Sequence, residues 1–408
     1  LPVSRCPPFV GSATAISVVA IRSDRALPNT VLKLPRSIYI HVPFCRHRCG
    51  YCNFSVVADR DDLMQRYLAA ITRELIEIPE ELKSAPLHTV FIGGGTPTHL
   101  PPEPLNRLLT VVREQFDLSE LREWTLEANP EDINDEKLML MSAHGVNRVS
   151  LGVQSFSDAK LDVLQRGHRG ETATEIVRQV AARIANVSID LIFAAPGESL
   201  GGWQRDLRIA TSLPVRHVST YALTFEKGTS FWTRKSRGDL VGVEESLEVT
   251  MYDSARAILA EAGFSQYEIS NFARPGDRCR HNLAYWQGDP WLAVGPGAAA
   301  FVNQTRTVNH RSTTTYLKRM ERGQSPVVES EPITAEQHAR EIAAFGVRLI
   351  EGVDLHSVQQ QTGVDLRELC RDALRQLRVQ GLIAESGAHV KLTERGIHFA
   401  DTVAAAFL

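Results

Sequence analysis

Residues 37–52 read Ser37-Ile38-Tyr39-Ile40-His41-Val42-Pro43-Phe44-Cys45-Arg46-His47-Arg48-Cys49-Gly50-Tyr51-Cys52. The first six have the β-branched and aromatic makeup of a strand. The remainder forms a loop with three cysteines spaced C-x3-C-x2-C. In parallel α/β folds the chemistry gathers in loops beyond the carboxyl ends of strands. One stretch therefore announces both a fold class and a place for a site.

Outward from it the same rhythm continues. Further strand-like runs fall at 89–92, 123–127, 148–153, 187–193 and 217–223, with helical periods at 61–82, 104–116, 134–143, 172–184 and 202–211. Asn134, three residues before Lys137, reads as a helix cap. Six βα units in series demand a parallel sheet with helical crossovers. Periodicity alone leaves an open doubly wound sheet and a barrel or partial barrel equally allowed. Beyond residue 223 the pattern shifts to a helix over 244–263, then a polar stretch with Tyr267, Phe272, Tyr285, Trp286 and Trp291. From residue 333 it is mainly helical and ends in a β-like piece at 388–393, which suggests a small winged-helix-like unit.

Composition excludes several classes. The chain has 408 residues, 43% hydrophobic and 23% charged, which is globular and not disordered. Its net charge of −3 gives little support to a nucleic-acid reader, even at the winged-helix-like end. The apolar run at 18–21 is far too short to span a bilayer. The first 35 or so residues carry Arg5, Arg22, Arg25 and Lys33 against the single acid Asp24. That suits a transit peptide, but with no amphipathic period the simpler expectation is a disordered extension or a misassigned start.

Six cysteines do not make a disulfide framework in a chain this long, and three of them sit within eight residues while Cys6, Cys279 and Cys370 are scattered. Three clustered thiolates suit either an iron–sulfur cluster with one open iron or a zinc site completed by His41 or His47. Arg46 and Arg48 are the expected cations that keep the thiols ionised. Gly93, Gly94 and Gly95 come at the end of the second strand; they offer backbone to a ligand or simply make a tight turn. They match neither a P-loop nor a dinucleotide fingerprint. Polar residues recur near the ends of the other strands, namely Glu127 with Asn129, Gln154 with Ser155, Asp190, and Thr220 with Tyr221. Their shared end of one sheet points to a single site there.

These residues resemble the radical S-adenosylmethionine (SAM) superfamily, and within it the oxygen-independent coproporphyrinogen oxidase family. The cysteine loop carries the broader likeness; FIGGGTPT, LEANPE, VNRVSLGVQSF, SIDLIF and HNLAYW, in order along the chain, carry the narrower one. The resemblance implies a partial (β/α)6 TIM-like barrel over 36–235, an accessory region over 236–330 and a winged-helix-like domain over 331–408, after an extension over 1–35. It implies that Cys45, Cys49 and Cys52 ligate a [4Fe–4S] cluster whose open iron takes S-adenosylmethionine. Tyr39, Gly94, Gly95, Thr96 and Glu127 would meet the methionine moiety or its surroundings, and Tyr51, Gln154, Arg166 and Asp190 the rest of that cofactor. An electron from the cluster would then break the sulfonium C–S bond.

Two branches of the family differ at one position. The oxidases carry a fourth cysteine two residues after the third; this chain has Phe54 there. That absence, with His281-Asn282-Leu283-Ala284-Tyr285-Trp286, is similar to the haem chaperone branch, which binds haem as cargo for haem enzymes. The resemblance implies His281 as an axial haem contact, or else a hydrogen-bonded loop histidine, with Tyr285 and Trp286 either beside a porphyrin or in the core. It implies as partners haem, recipient haem proteins and an electron donor such as a flavodoxin or ferredoxin, in the cytoplasm, with no nucleic acid and at most transient membrane association. The alternative is oxidative decarboxylation of coproporphyrinogen III. Ala194-Ala195-Pro196 replaces the usual Gly-Leu-Pro, Ala299-Ala300 the usual His-Ser, and Asn53 a common Asp.

Overall fold

The computed structural model describes residues 33–408, so the expected N-terminal extension lies almost wholly outside the described residues. Six parallel strands succeed one another in sequence order: β1 (Ser37–Val42), β2 (Thr89–Gly94), β3 (Glu123–Ala128), β4 (Arg148–Gln154), β5 (Asn186–Phe193) and β6 (His217–Ala222). A doubly wound sheet reverses its order at a switch point; this one does not, and it curls as a barrel. A hairpin of β7 (Ser265–Glu268) and β8 (Asn271–Ala273) extends the β6 edge antiparallel, while β9 (Leu292–Val294) pairs parallel with β1. The sheet order is β9-β1-β2-β3-β4-β5-β6-β8-β7, and its two ends do not pair, so the barrel is partial.

Period-two alternation sorts the side chains. Ile38, Ile40, Val90, Ile92, Leu126, Val149, Leu151, Ile189 and Leu191 pack outward into one core with Leu68, Ile71, Leu108, Val112, Met141, Val177 and Leu207 of the crossover helices. The opposite phase is polar: Tyr39 and His41, Glu123 and Glu127, Arg148 and Ser150, Ser188 and Asp190, His217 and Ser219. The barrel therefore holds a polar interior inside an apolar shell.

The crossover helices lie close to their sequence limits, with one exception. The period at 61–82 breaks into Met64–Glu77 and Glu80–Lys83, because Pro79 forces Ile78 out of helical geometry. Asn134 caps Asp135–His144 by accepting from Lys137 N at 2.9 Å. Past the barrel, Ala299–Val302, Thr305–Asn309 and Val327–Pro332 form an antiparallel sheet. At the carboxyl end, helices Leu355–Thr362 and Arg371–Val379 pack beside a three-stranded sheet of Val353–Asp354, His389–Leu392 and Ile383–Ser386. Among the described residues no helix is long and apolar enough to cross a membrane.

Candidate functional site

Cys45, Cys49 and Cys52 line one cavity at the carboxyl end of β1. Burial opposes ionisation of all three: it pushes the Cys45 thiol up to about 12 and raises that of Cys52. At Cys49 burial is outweighed by His47, 3.5 Å away, and Arg166, 3.6 Å away, which hold its thiol below the ordinary value. The cation beside the thiols is thus Arg166, with Arg48 assisting at Cys52. Arg46 instead turns to Asp132 at 3.0 Å, contrary to the expectation from the loop. Among the described residues no three His, Cys, Asp or Glu side chains converge on one ion. A cubane asks for no such convergence, since each thiolate takes a different iron.

The glycine run holds this loop in place. Gly94 has φ +106°, and a Cβ there would lie 2.3 Å from the His41 ring. At Gly95 a Cβ would stand 2.6 Å from the Phe44 carbonyl, where Gly95 N and Thr96 N donate to Val42 O and Phe44 O. Both glycines also line the cavity, so the turn and the ligand-facing readings are one feature. Gly94 N donates to Glu127 Oε2 at 2.8 Å. Burial and the neighbouring Asp190 push the Glu127 carboxyl up to about 7, and burial raises that of Asp190. A cationic ligand amine would reverse that penalty.

The expected set assembles around this point. Gly94, Gly95, Thr96, Glu127, Gln154, Arg166, Asp190 and Tyr51 line the cavity with the cysteines. Arg166 reaches Asn129 Oδ1 and the Gly152 carbonyl, and Asn129 Nδ2 donates to Thr96 Oγ1 at 2.8 Å. Gln154 and Gln165 have φ of 65° and 57°, non-glycine residues held in the left-handed region on the approach to Arg166. Ser155 belongs elsewhere: its hydroxyl donates to Asp206 as part of a buried network with Lys160. Asp190 lies inside β5 and not at its end.

Tyr39 lines a second cavity of about 210 Å³, which shares Gly94, Glu127, Ser150, Asp190 and Phe54 with the first. Its walls include His41, Phe91, Arg148, Tyr221, His281, Tyr285, Trp291 and Ala299. Tyr39 donates to His41 Nδ1 at 2.9 Å while His41 Nε2 donates to Ser55 O; burial lowers His41 to about 4, so the ring is neutral. Both its nitrogens are thereby engaged, which leaves none on this ring for a zinc ion. Arg148 and Ser219 were not among the sequence candidates, although the period-two phase of Tyr39, Glu127 and Asp190 includes them.

His281 is seen as the hydrogen-bonded histidine, on a short helix and not in a loop. It is buried, stacks on Phe91 at 5.0 Å, and engages both ring nitrogens, Nδ1 with Thr89 Oγ1 at 2.8 Å and Nε2 with Tyr285 Oη at 2.7 Å. Burial lowers it to about 3. With both ring nitrogens hydrogen-bonded, it orders the cavity wall. Trp286 packs on Phe345 beneath Arg348 in the core, whereas Tyr285 faces the cavity.

The sequence profile of the Radical SAM superfamily matches residues 39–209, and that of the HemN C-terminal domain matches 333–399. The heme chaperone HemW of Bacillus subtilis is 34% identical over 91% of this chain and 99% of its own length. The chain belongs to the HemN/HemW family of radical SAM proteins. Heme chaperone HemW of Mycobacterium tuberculosis is 37% identical over 90% of this chain and 94% of its own. Among solved structures, the radical SAM coproporphyrinogen III oxidase HemN of Escherichia coli superposes with a TM-score of 0.81 at 20% identity, covering 92% of this chain and 90% of that one. The HemN/HemW fold thus accounts for the partial barrel and the helical carboxyl-terminal unit together.

Proposed function

We propose that this chain is a radical SAM [4Fe–4S] protein that binds haem and transfers it to haem-dependent enzymes of the respiratory type. The observation that carries the reading is that relatives spanning at least nine-tenths of the chain at 34% and 37% identity are named heme chaperones. Phe54, where the oxidases' fourth cysteine would stand, agrees with it.

In this reading Cys45, Cys49 and Cys52 hold the cluster, and Arg166 offsets its negative charge. Tyr39, Gly94, Gly95, Thr96 and Glu127 hold the methionine end of SAM, the Glu127 carboxylate facing its ammonium. Tyr51, Gln154, Arg166 and Asp190 line the remainder. When bound, the pair would supply one-electron cleavage of a sulfonium bond, in a polar interior surrounded by an apolar shell and open at the mouth. The reading places the protein in the cytoplasm, reduced by a flavodoxin or ferredoxin, with at most passing contact with a membrane. It divides the described chain into a barrel to residue 235, an accessory region to 330 and a winged-helix-like domain beyond.

The test is anaerobic reconstitution followed by iron and sulfide analysis, haem titration and incubation with coproporphyrinogen III. A stable haem complex without porphyrinogen conversion supports the proposal; conversion without a haem complex returns the oxidase.

A further inference from the structure

Phe54 is 52% exposed, yet its backbone is fixed on both sides. Arg48 donates to Cys52 O at 3.4 Å, Arg311 donates to Asn53 O at 3.0 Å and to Ser55 Oγ at 3.2 Å, and His41 donates to Ser55 O at 2.9 Å. An exposed phenylalanine is unremarkable by itself. One projected from a pinned turn, at the common rim of the cluster cavity, the aromatic cavity and the cleft beside Tyr221, is a built surface. Both guanidiniums that bracket it are exposed, and among the described residues neither meets a carboxylate.

An exposed apolar ring on a turn whose backbone is held by two guanidiniums without a carboxylate partner is complementary to a flat apolar macrocycle carrying carboxylates on its edge. We infer that Phe54, Arg48 and Arg311 form the receiving platform for the haem cargo, Phe54 lying against the ring and the arginines taking its propionates. The inference rests on the haem-binding reading above and assigns residues to it. It also gives the replacement of the fourth cysteine a positive role: the position offers contact area in place of a thiol. Bidentate geometry makes arginine the suitable partner for a propionate.

The experiment is titration of cluster-reconstituted protein with haemin and with haemin dimethyl ester, whose carboxylates are masked, monitored by Soret absorbance. Wild type should bind haemin about tenfold or more tightly than the ester, the effect of losing charge-assisted hydrogen bonds. Arg48→Gln/Arg311→Gln should bind both alike. Phe54→Ala should weaken both by about tenfold, as loss of an aromatic contact does. Circular dichroism reports whether each variant keeps its fold, and affinity for a SAM analogue whether the neighbouring cavity is intact. The platform is overturned if these variants keep wild-type haemin affinity and ester discrimination, or if Phe54→Ala weakens the SAM analogue and leaves haemin unchanged. Wild type that binds no haemin overturns the functional reading itself, a separate result.

Discussion

The two ends of the barrel interior use the same kinds of residue to opposite effect. At the foot, Glu123 accepts from Arg280 N at 2.7 Å, His281 N at 3.1 Å and Thr125 Oγ1 at 3.3 Å, with the Cys279 thiol at 3.4 Å. His217 bridges Ser188 and Tyr267, each at 2.8 Å, and His281 bridges Thr89 and Tyr285. At the mouth, Glu127, Asp190 and the three thiols line the cavities, and His281 stands where the two ends meet, its ring bonded at the foot and forming a wall of the second cavity. A buried polar group with its partners in place is structure, because its desolvation is already offset. One that waits for a partner is a site.

Substitutions at the two ends should therefore diverge. The largest effect is expected at the mouth: Cys49→Ala should abolish iron and acid-labile sulfide in reconstituted protein while leaving circular dichroism unchanged. Retention of a full cluster would dissolve the distinction. At the foot, Glu123→Ala removes the shared acceptor of four donors and should cost about 4 kcal/mol of stability, read by chemical denaturation. A loss below about 1 kcal/mol would show that the network is not structural.

Glu127→Gln at the mouth should do the reverse. The folded carboxyl sits near 7 against 4.5 for the ordinary group, so the fold binds its proton more tightly than the unfolded chain does. Stability is thus lost as pH rises across that window. Before SAM is added, the variant should match wild type at pH 4 and exceed it above pH 7 by on the order of 3 kcal/mol, while binding a SAM analogue more weakly. A destabilised variant at pH 8 would place Glu127 with the structural group. The smallest effect belongs to Ala194, a non-glycine residue held at φ 60°. Ala194→Gly should relieve that backbone and stabilise by about 1 kcal/mol, seen as a higher urea midpoint.

Much of this was legible in the chain. The six barrel strands alternate strongly enough that β1 is read to the residue, and the cysteine loop and Glu127 announce the mouth, whereas Arg166 came only with the family resemblance. Barrel and doubly wound sheet share the same local periods, so curvature had to come from pairing order. The short elements were missed for a physical reason. Arg280–Trp286 and Leu292–Val294 are seven and three residues long and owe their form to docking on the barrel, the helix through Glu123 and the strand through β1. The left-handed backbones at Gln154, Gln165 and Ala194 carry no signal in residue type. His281 shows the limit most clearly: its residue type left an iron contact and a hydrogen-bonded histidine both open, and its two hydrogen bonds are visible only in the fold.

The central claim is that the mouth of this barrel receives a cofactor and a haem. It is tested most directly by adding one equivalent of haemin to anaerobically reconstituted protein and recording the Soret band beside the iron and sulfide content. The account predicts a full cluster and a saturable haem complex together in one chain. A full cluster with no haem complex, or a haem complex that displaces the cluster, would contradict it.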